Sequence, residues 1–168
     1  MKNELNLFTD GSAHPQLKIG FGALLIVPSL RLYCQEQSLY VETKLFRNTS
    51  STKLELQTLL WALDTIDDLE QKKIMIYTDS QTIISLLNRR EKLEQSQYYS
   101  RNGNRLKQAP LYQHFYAKID TFEAHFKKVK GHKKTKEKEI IDTFFTFVDR
   151  ASRKALREYQ RNKPLQGL

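Results

Sequence analysis

The chain has 168 residues, of which 39% are hydrophobic and 28% charged, a composition that fits one globular domain and argues against wholesale disorder. Its one cysteine, Cys34, excludes an intramolecular disulfide and a thiolate zinc cluster and fits a reducing cytosol, and no apolar run approaches the roughly 20 residues of a membrane span. The formal net charge is +9: residues 88–110 carry +4 and residues 127–138 carry +6, which leaves −1 for all the rest. Charge gathered in two stretches suggests a polyanion partner, against the plainer alternative of two solvated lysine-rich loops.

Met1-Lys2-Asn3-Glu4 runs straight into a first strand, leaving no room for a signal peptide, so a cytoplasmic location is expected. That strand, Leu5-Asn6-Leu7-Phe8-Thr9, closes on Asp10, and Gly11-Ser12 follow. Phe21–Val27 reads as a second strand stopped by Pro28, and residues from about Leu32 to Val41 as a third, with Leu39 and Val41 alternating against polar neighbours. Thr52-Lys53-Leu54-Glu55 fits a capping box in which Thr52 caps a helix and Glu55 reaches back. Leu56, Leu59, Leu60 and Leu63 then lay an apolar stripe along that helix.

A fourth strand, Ile74–Thr78, closes on Asp79 and Ser80-Gln81, and a short helix through Ile83, Ile84 and Leu87 follows. Residues 88–110 show no clear periodicity and contain the turn pair Asn102-Gly103. A helix from Leu111 to about Asp120 leads to a fifth strand, Ala124–Lys130. A lysine-rich loop then precedes a long helix with Ile141, Phe144, Phe145, Val148, Ser152, Ala155 and Tyr159 inward. Three strands able to form a meander, then two joined by helical crossovers, predict an α/β fold. Its mixed five-stranded sheet, antiparallel and then parallel, has helices on both faces. The domain is expected over residues 1–161, with 162–168 a loose tail.

A carboxylate at a strand end with a turn directly after it faces the crevice where α/β sheets bind ligands. Asp10 and Asp79 both sit so, and two such acids can share a divalent cation. Glu55 reads either as a capping-box partner or as a third acid of that site. Asp149, beside the apolar face of the last helix, reads either as a fourth or as an i,i+4 ion pair with Arg153.

Five blocks carry a family resemblance, in order along nearly the whole chain. They are Phe8-Thr9-Asp10-Gly11-Ser12, Thr52-Lys53-Leu54-Glu55-Leu56, Tyr77-Thr78-Asp79-Ser80-Gln81, Val129-Lys130-Gly131-His132 and Val148-Asp149-Arg150-Ala151-Ser152. With them the chain resembles the type 1 ribonuclease H family. The resemblance implies an endonuclease that cuts the RNA strand of RNA–DNA hybrids and leaves 5′-phosphate and 3′-hydroxyl ends. It also implies Asp10, Glu55, Asp79 and Asp149 as ligands of two Mg²⁺ ions, or Mn²⁺ in their place. Carboxylate oxygens suit a hard cation, and two ions roughly 3.5–4 Å apart can clamp the attacking and leaving oxygens of a phosphodiester.

His132 matches the family's loop histidine, which assists proton handling or product release, although sixteen residues, Lys133 to Val148, separate it from Asp149. Ser51 and Thr52 stand where the family has an asparagine pair that touches the hybrid, and Gln81 matches its base-contacting glutamine. Gly11, next to Ser12, allows its backbone to approach a ribose 2′-hydroxyl, the group that separates RNA from DNA. His14-Pro15 stands where Asn-Pro is usual. Residues 88–110 occupy the place of the family's basic handle. Arg89, Arg90, Lys92, Arg101, Arg105 and Lys107 would meet phosphates there, and Tyr98 and Tyr99 would lie against sugars. Such contacts position a duplex without reading its sequence. The implied protein is a monomer with no obligate protein partner. Its rivals are a catalytically silent hybrid-binding module and a resolvase-like or integrase-like DNA nuclease on the same fold.

Overall fold

A computed structural model describes residues 2–32, 39–129 and 136–162. Its centre is β1 (Asn3–His14), in which the consecutive residues Leu7 and Phe8 are both fully buried. Neighbouring side chains on a strand point to opposite faces, so both faces of this strand must be covered. Leu7 enters a core with α1 (Ser51–Asp64), α2 (Gln81–Gln95) and α3 (Ala109–Ile119). Phe8 enters a second core with α4 (Lys136–Asn162) on the other face, stacked at 4.5 Å on Tyr77 and tilted against Phe144.

The sheet has the order β3-β2-β1-β4-β5, with β2 at Ile19–Val27, β3 at Glu42–Arg47, β4 at Lys72–Thr78 and β5 at Glu123–Lys128. β1–β2 and β2–β3 are antiparallel, and β4 is parallel to both β1 and β5. The mixed five-stranded sheet with helices on both faces is therefore present, and Leu56, Leu59, Leu60 and Leu63 form the buried stripe of α1.

Three local expectations need correction. The third strand is Glu42–Arg47, later than Leu32–Val41. Leu39 and Val41 pack against the α4 core without strand pairing, while residues 33–38 lie outside the described residues. Charges on an edge strand are a normal protection against aggregation, and here they hid its apolar alternation. The cap of α1 is Ser50, whose Oγ accepts from Lys53 N at 3.4 Å. Glu55 is then too far into the helix to complete a capping box with Thr52, and it turns to another partner. Finally α2 runs on to Gln95, with Leu86 and Leu93 buried, so the first part of the 88–110 stretch is helical. Residues 163–168, most of the expected tail, lie outside the described residues.

The approach of α1 to the sheet depends on glycine. Gly11 and Gly22 face each other across β1 and β2. A Cβ on Gly22 would stand 2.3 Å from Thr58 Oγ1, and one on Gly20 would stand 2.5 Å from a Leu54 methyl. Thr58 is fully buried, with its hydroxyl lacking a hydrogen-bond partner, so close packing has been kept at the expense of a polar group. Gly22→Ala should therefore lower stability by about 1–3 kcal/mol through overpacking. Adding Thr58→Ala should recover part of the loss. Thermal melts of the two variants check this, and a Gly22→Ala protein as stable as the parent would contradict the close approach.

Candidate active site

The parallel register pairs Phe8 with Tyr77, and Asp10 and Asp79 each lie two residues beyond that pair on adjacent strands. Asp79 follows the last residue of β4. Asp10 is still within β1, paired with Ala23 of β2, because that strand runs on to His14 past the end expected from the sequence; the shared register nevertheless sets the two carboxylates beside each other at the crevice. Glu55 reaches the same place from the first half of α1, where its Oε2 accepts a 2.5 Å hydrogen bond from Ser80 Oγ. Ser80 is also the N-cap of α2, accepting from Ile83 N at 3.2 Å, so one buried hydroxyl joins two helices and a carboxylate. Asp149 arrives from α4 on the opposite face, close enough to Asp10 to help raise its carboxyl. Its Oδ1 accepts from Arg153 Nε at 2.7 Å, so the i,i+4 pair forms as well. The structure thus brings all four expected acids to one end of the sheet.

Their electrostatics show the crowding. Burial, followed by the neighbouring charge of Asp79, pushes the Asp10 carboxyl up to about 7, although the Gly11 backbone amide opposes the shift. Burial also raises Glu55, against the Ser80 hydrogen bond, and Asp79 adds to the rise. Asp79 is raised by burial and by Asp149, with Lys128 and Arg153 working in the other direction. The donor set is all hard oxygen, and it is deficient in positive charge. Both properties fit a divalent cation such as Mg²⁺. As the side chains stand, with Glu55 held by Ser80 and Asp149 by Arg153, no group of three or more His, Cys, Asp or Glu among the described residues is arranged to hold a metal ion.

Around the acids, Gly11 and Ser12 continue β1 at the crevice and Gln81 begins α2, exposed. Ser51 lines a cleft of about 470 Å³ with Lys18, Lys53 and Lys107, and Thr52 is exposed on the same first turn of α1. His132 and the other residues of the 130–135 loop lie outside the described residues.

The basic stretch divides into two classes. Arg89, Lys92, Arg101, Arg105 and Lys107 are exposed. Arg90 is instead a structural cation. It makes two 2.6 Å bonds to Asp120 and one of 2.7 Å to Glu94, and it stacks over the Tyr116 ring. Tyr98 is only 7% exposed and belongs to the α1–α3 core, so it cannot lie against a sugar, whereas Tyr99 is 49% exposed. Sequence reasoning missed two residues at the site. Lys128 ends β5 opposite Thr78 and donates to the Gln81 side-chain oxygen, and Ser80 ties Glu55 to α2. Serine after a strand-end aspartate was a visible signal for the second. Lys128 was hidden among seven lysines.

The RNase H family model matches residues 2–148. The chain belongs to the RNase H family. The match stops one residue short of Asp149, whose place in the site rests on the geometry above. Among solved structures, the chain is similar to the crystal structure of LC9-RNase H1, a type 1 RNase H with the type 2 active-site motif. The identity is 13% and the TM-score 0.66, over 92% of this chain and 72% of that one, a likeness of fold. No curated protein matches. Family and fold together support an RNA–DNA hybrid nuclease in general.

The Asp10 shift has a signed consequence for stability. In metal-free protein its carboxyl titrates near 7 when folded and near the ordinary 3.8 when unfolded. Between those values the folded state holds a proton that the unfolded state has released, so stability falls as pH rises through that window. Asp10→Asn removes the charge. Denaturant unfolding in chelator should show the variant gaining on the parent from about pH 4 to about pH 7, with the gap constant above. A gap independent of pH would contradict the crowded site.

Proposed function

We propose that this chain is a divalent-metal-dependent endonuclease that hydrolyses the RNA strand of RNA–DNA hybrids and leaves 5′-phosphate and 3′-hydroxyl ends. The observation that carries the reading is the convergence of Asp10, Glu55, Asp79 and Asp149 from two strands and two helices, with Asp10 pushed up to about 7. Four unrelated structural acids would have no reason to share one crevice at that energetic cost. These four would hold the cations, with Glu55 and Asp149 turning from Ser80 and Arg153 to do so. When bound, two divalent cations supply charge stabilisation at the attacking and leaving oxygens.

The chain's own residues do the rest. Arg89, Lys92, Arg101, Arg105 and Lys107 meet backbone phosphates and set the position of the duplex. The exposed Tyr99 offers a ring to a sugar. Gly11, next to Asp10 in β1, offers its backbone to a 2′-hydroxyl, and Ser12, Ser51 and Thr52 add hydroxyls nearby. His132 would assist proton handling or product release. The single cysteine suits a reducing compartment, and we place the enzyme in the cytoplasm as a monomer.

Asp10→Asn and Asp79→Asn should each lower kcat by at least ~10³-fold, the scale of several kcal/mol of lost charge stabilisation. Hybrid binding should survive in both. Labelled hybrid, RNA duplex, DNA duplex and single strands, each with Mg²⁺ and with chelator, test the reading. Cleavage confined to the hybrid and dependent on metal supports it. Near-normal turnover by either variant would remove the metal assignment, and binding without cleavage by the parent would indicate a silent hybrid-binding module.

The two classes of cation make a separate prediction. Neutralising Arg89, Lys92 and Arg101 together should flatten the slope of log K against log[salt] by about 2–3, close to one for each phosphate left without its cation. Arg90→Gln should leave that slope unchanged and lower the melting temperature, because Asp120 and Glu94 lose their partner. Filter binding over a salt series and thermal melts separate the two. A slope lowered by Arg90→Gln as much as by one of the exposed cations would place Arg90 on the duplex.

A further inference from the structure

We propose that Lys128 is a positioning residue that keeps the enzyme indifferent to base identity at one point of the hybrid, by fixing the orientation of the Gln81 amide. The inference rests on the hybrid-nuclease reading above and goes beyond it to substrate selection. The backbone sets the placement: Lys128 pairs with Thr78 in the parallel register, and Val129 N donates to Thr78 O at 2.8 Å. Lys128 is thereby brought to the strand ends next to Asp79, whose charge it offsets. From there its Nζ donates to Gln81 Oε1.

An ammonium has donors and no acceptor, so its partner on Gln81 must be the carbonyl oxygen. Which way a glutamine amide faces is otherwise open. With Oε1 taken by Lys128, the free end of Gln81 is its NH₂ group, a pure donor. Gln81 is exposed two residues after Asp79, beside the carboxylates that the reading above sets at the cut bond. An enzyme that selects RNA by its 2′-hydroxyl approaches from the minor groove, where those hydroxyls and the base edges are displayed. Every base pair presents acceptors in that groove, whereas only guanine adds a donor, its N2 amino group. A donor held toward the groove is therefore satisfied by any pair. A carbonyl turned there would favour G·C. Lys128 chooses between these two readings without touching the duplex.

The test maps cleavage sites over a pool of hybrids randomised around the cut. The parent should show no base preference at the position Gln81 faces. Lys128→Met keeps the apolar stem and removes the donor, freeing the amide to turn. A guanine preference of roughly threefold should then appear at one fixed distance from the cut, the size of a single net hydrogen bond. Gln81→Glu presents acceptors only and should give a larger preference of the same sign at the same position. Lys128→Met combined with Gln81→Ala should be flat again. Because each preference is a ratio within one variant, a lower overall rate does not disturb it. A flat Lys128→Met profile beside a biased Gln81→Glu profile would overturn the role of Lys128, and a flat Gln81→Glu profile would show that Gln81 does not face base edges. A parent that leaves every hybrid uncut would overturn the functional reading, and this inference with it.

Discussion

Repulsion among carboxylates is the constraint around which this molecule is built. The β1–β4 register places Asp10, within β1, beside Asp79, just past the end of β4. Two unit charges roughly 5 Å apart repel by about 3 kcal/mol at an effective dielectric near 20. Glu55 and Asp149 add to that, and burial denies much of the relief water would give. The protein answers only in part. The Gly11 amide, the Ser80 hydroxyl, Lys128 and Arg153 each lower one carboxyl, yet Asp10 still ends near 7. A fold stabilised for its own sake would have amides here. Carboxylates at this density fit the proposed site, one completed by positive charge from outside.

Holding the acids together requires unusually close packing between layers. Glu55 reaches the crevice only because α1 sits almost on the backbone of β1 and β2. Gly11, Gly20 and Gly22 are what permit it. The buried Thr58 hydroxyl, left without a partner, shows that close packing took precedence over polar satisfaction. On the other face, α4 brings Asp149 down along a line of Ile141, Phe144, Val148 and Ser152. The two cores, one on either side of β1, therefore act as a clamp. Each carries one helix acid toward the strand acids between them, and Ser80 links α1 to α2 at the closing point.

How much of this could be read from the sequence depended on whether the signal was local. Asp79 was legible because an apolar run ending in an acid and a turn residue leaves few other geometries; the same sign pointed to Asp10, although there the strand runs on to His14 and no turn follows the acid. The stripe of α1 and the inner face of α4 were legible by period. Glu55 was read either as a capping-box partner or, by the family resemblance, as a site acid; the box does not form, since the cap is Ser50, and the carboxyl reaches the crevice instead. β3 was displaced because its polar edge carries less periodic signal than the apolar Leu39 and Val41 just before it, which pack on α4. The basic stretch hid its structure for a related reason. Charge composition marks a surface but does not say which cations are already paired, and only the fold brings Asp120 to Arg90, thirty residues away. Tyr98 shows the same limit, since a tyrosine in a polar stretch reads as exposed until the chain reversal at 97–98 turns it into the core.

The arrangement of charge then separates affinity from chemistry. On the function proposed above, a chain of net charge +9 sets four acids where the scissile phosphate would come, which by itself is the worst place for a polyanion. Binding would then be supplied at a distance, by the exposed cations of the 88–110 stretch and the lysines beside α1, all outside the carboxylate cluster. Those cations would reach a phosphate backbone that is the same for every sequence and set register without reading bases. What remains for the site is to accept cations and one phosphodiester together, each reducing the repulsion the other would meet. Empty of cations, the cluster would resist the substrate that the rest of the surface attracts. Filled, it would have charge to offer the transition state, and on the proposed function the same acids that strain the fold would be the reason a hybrid is cut at that place.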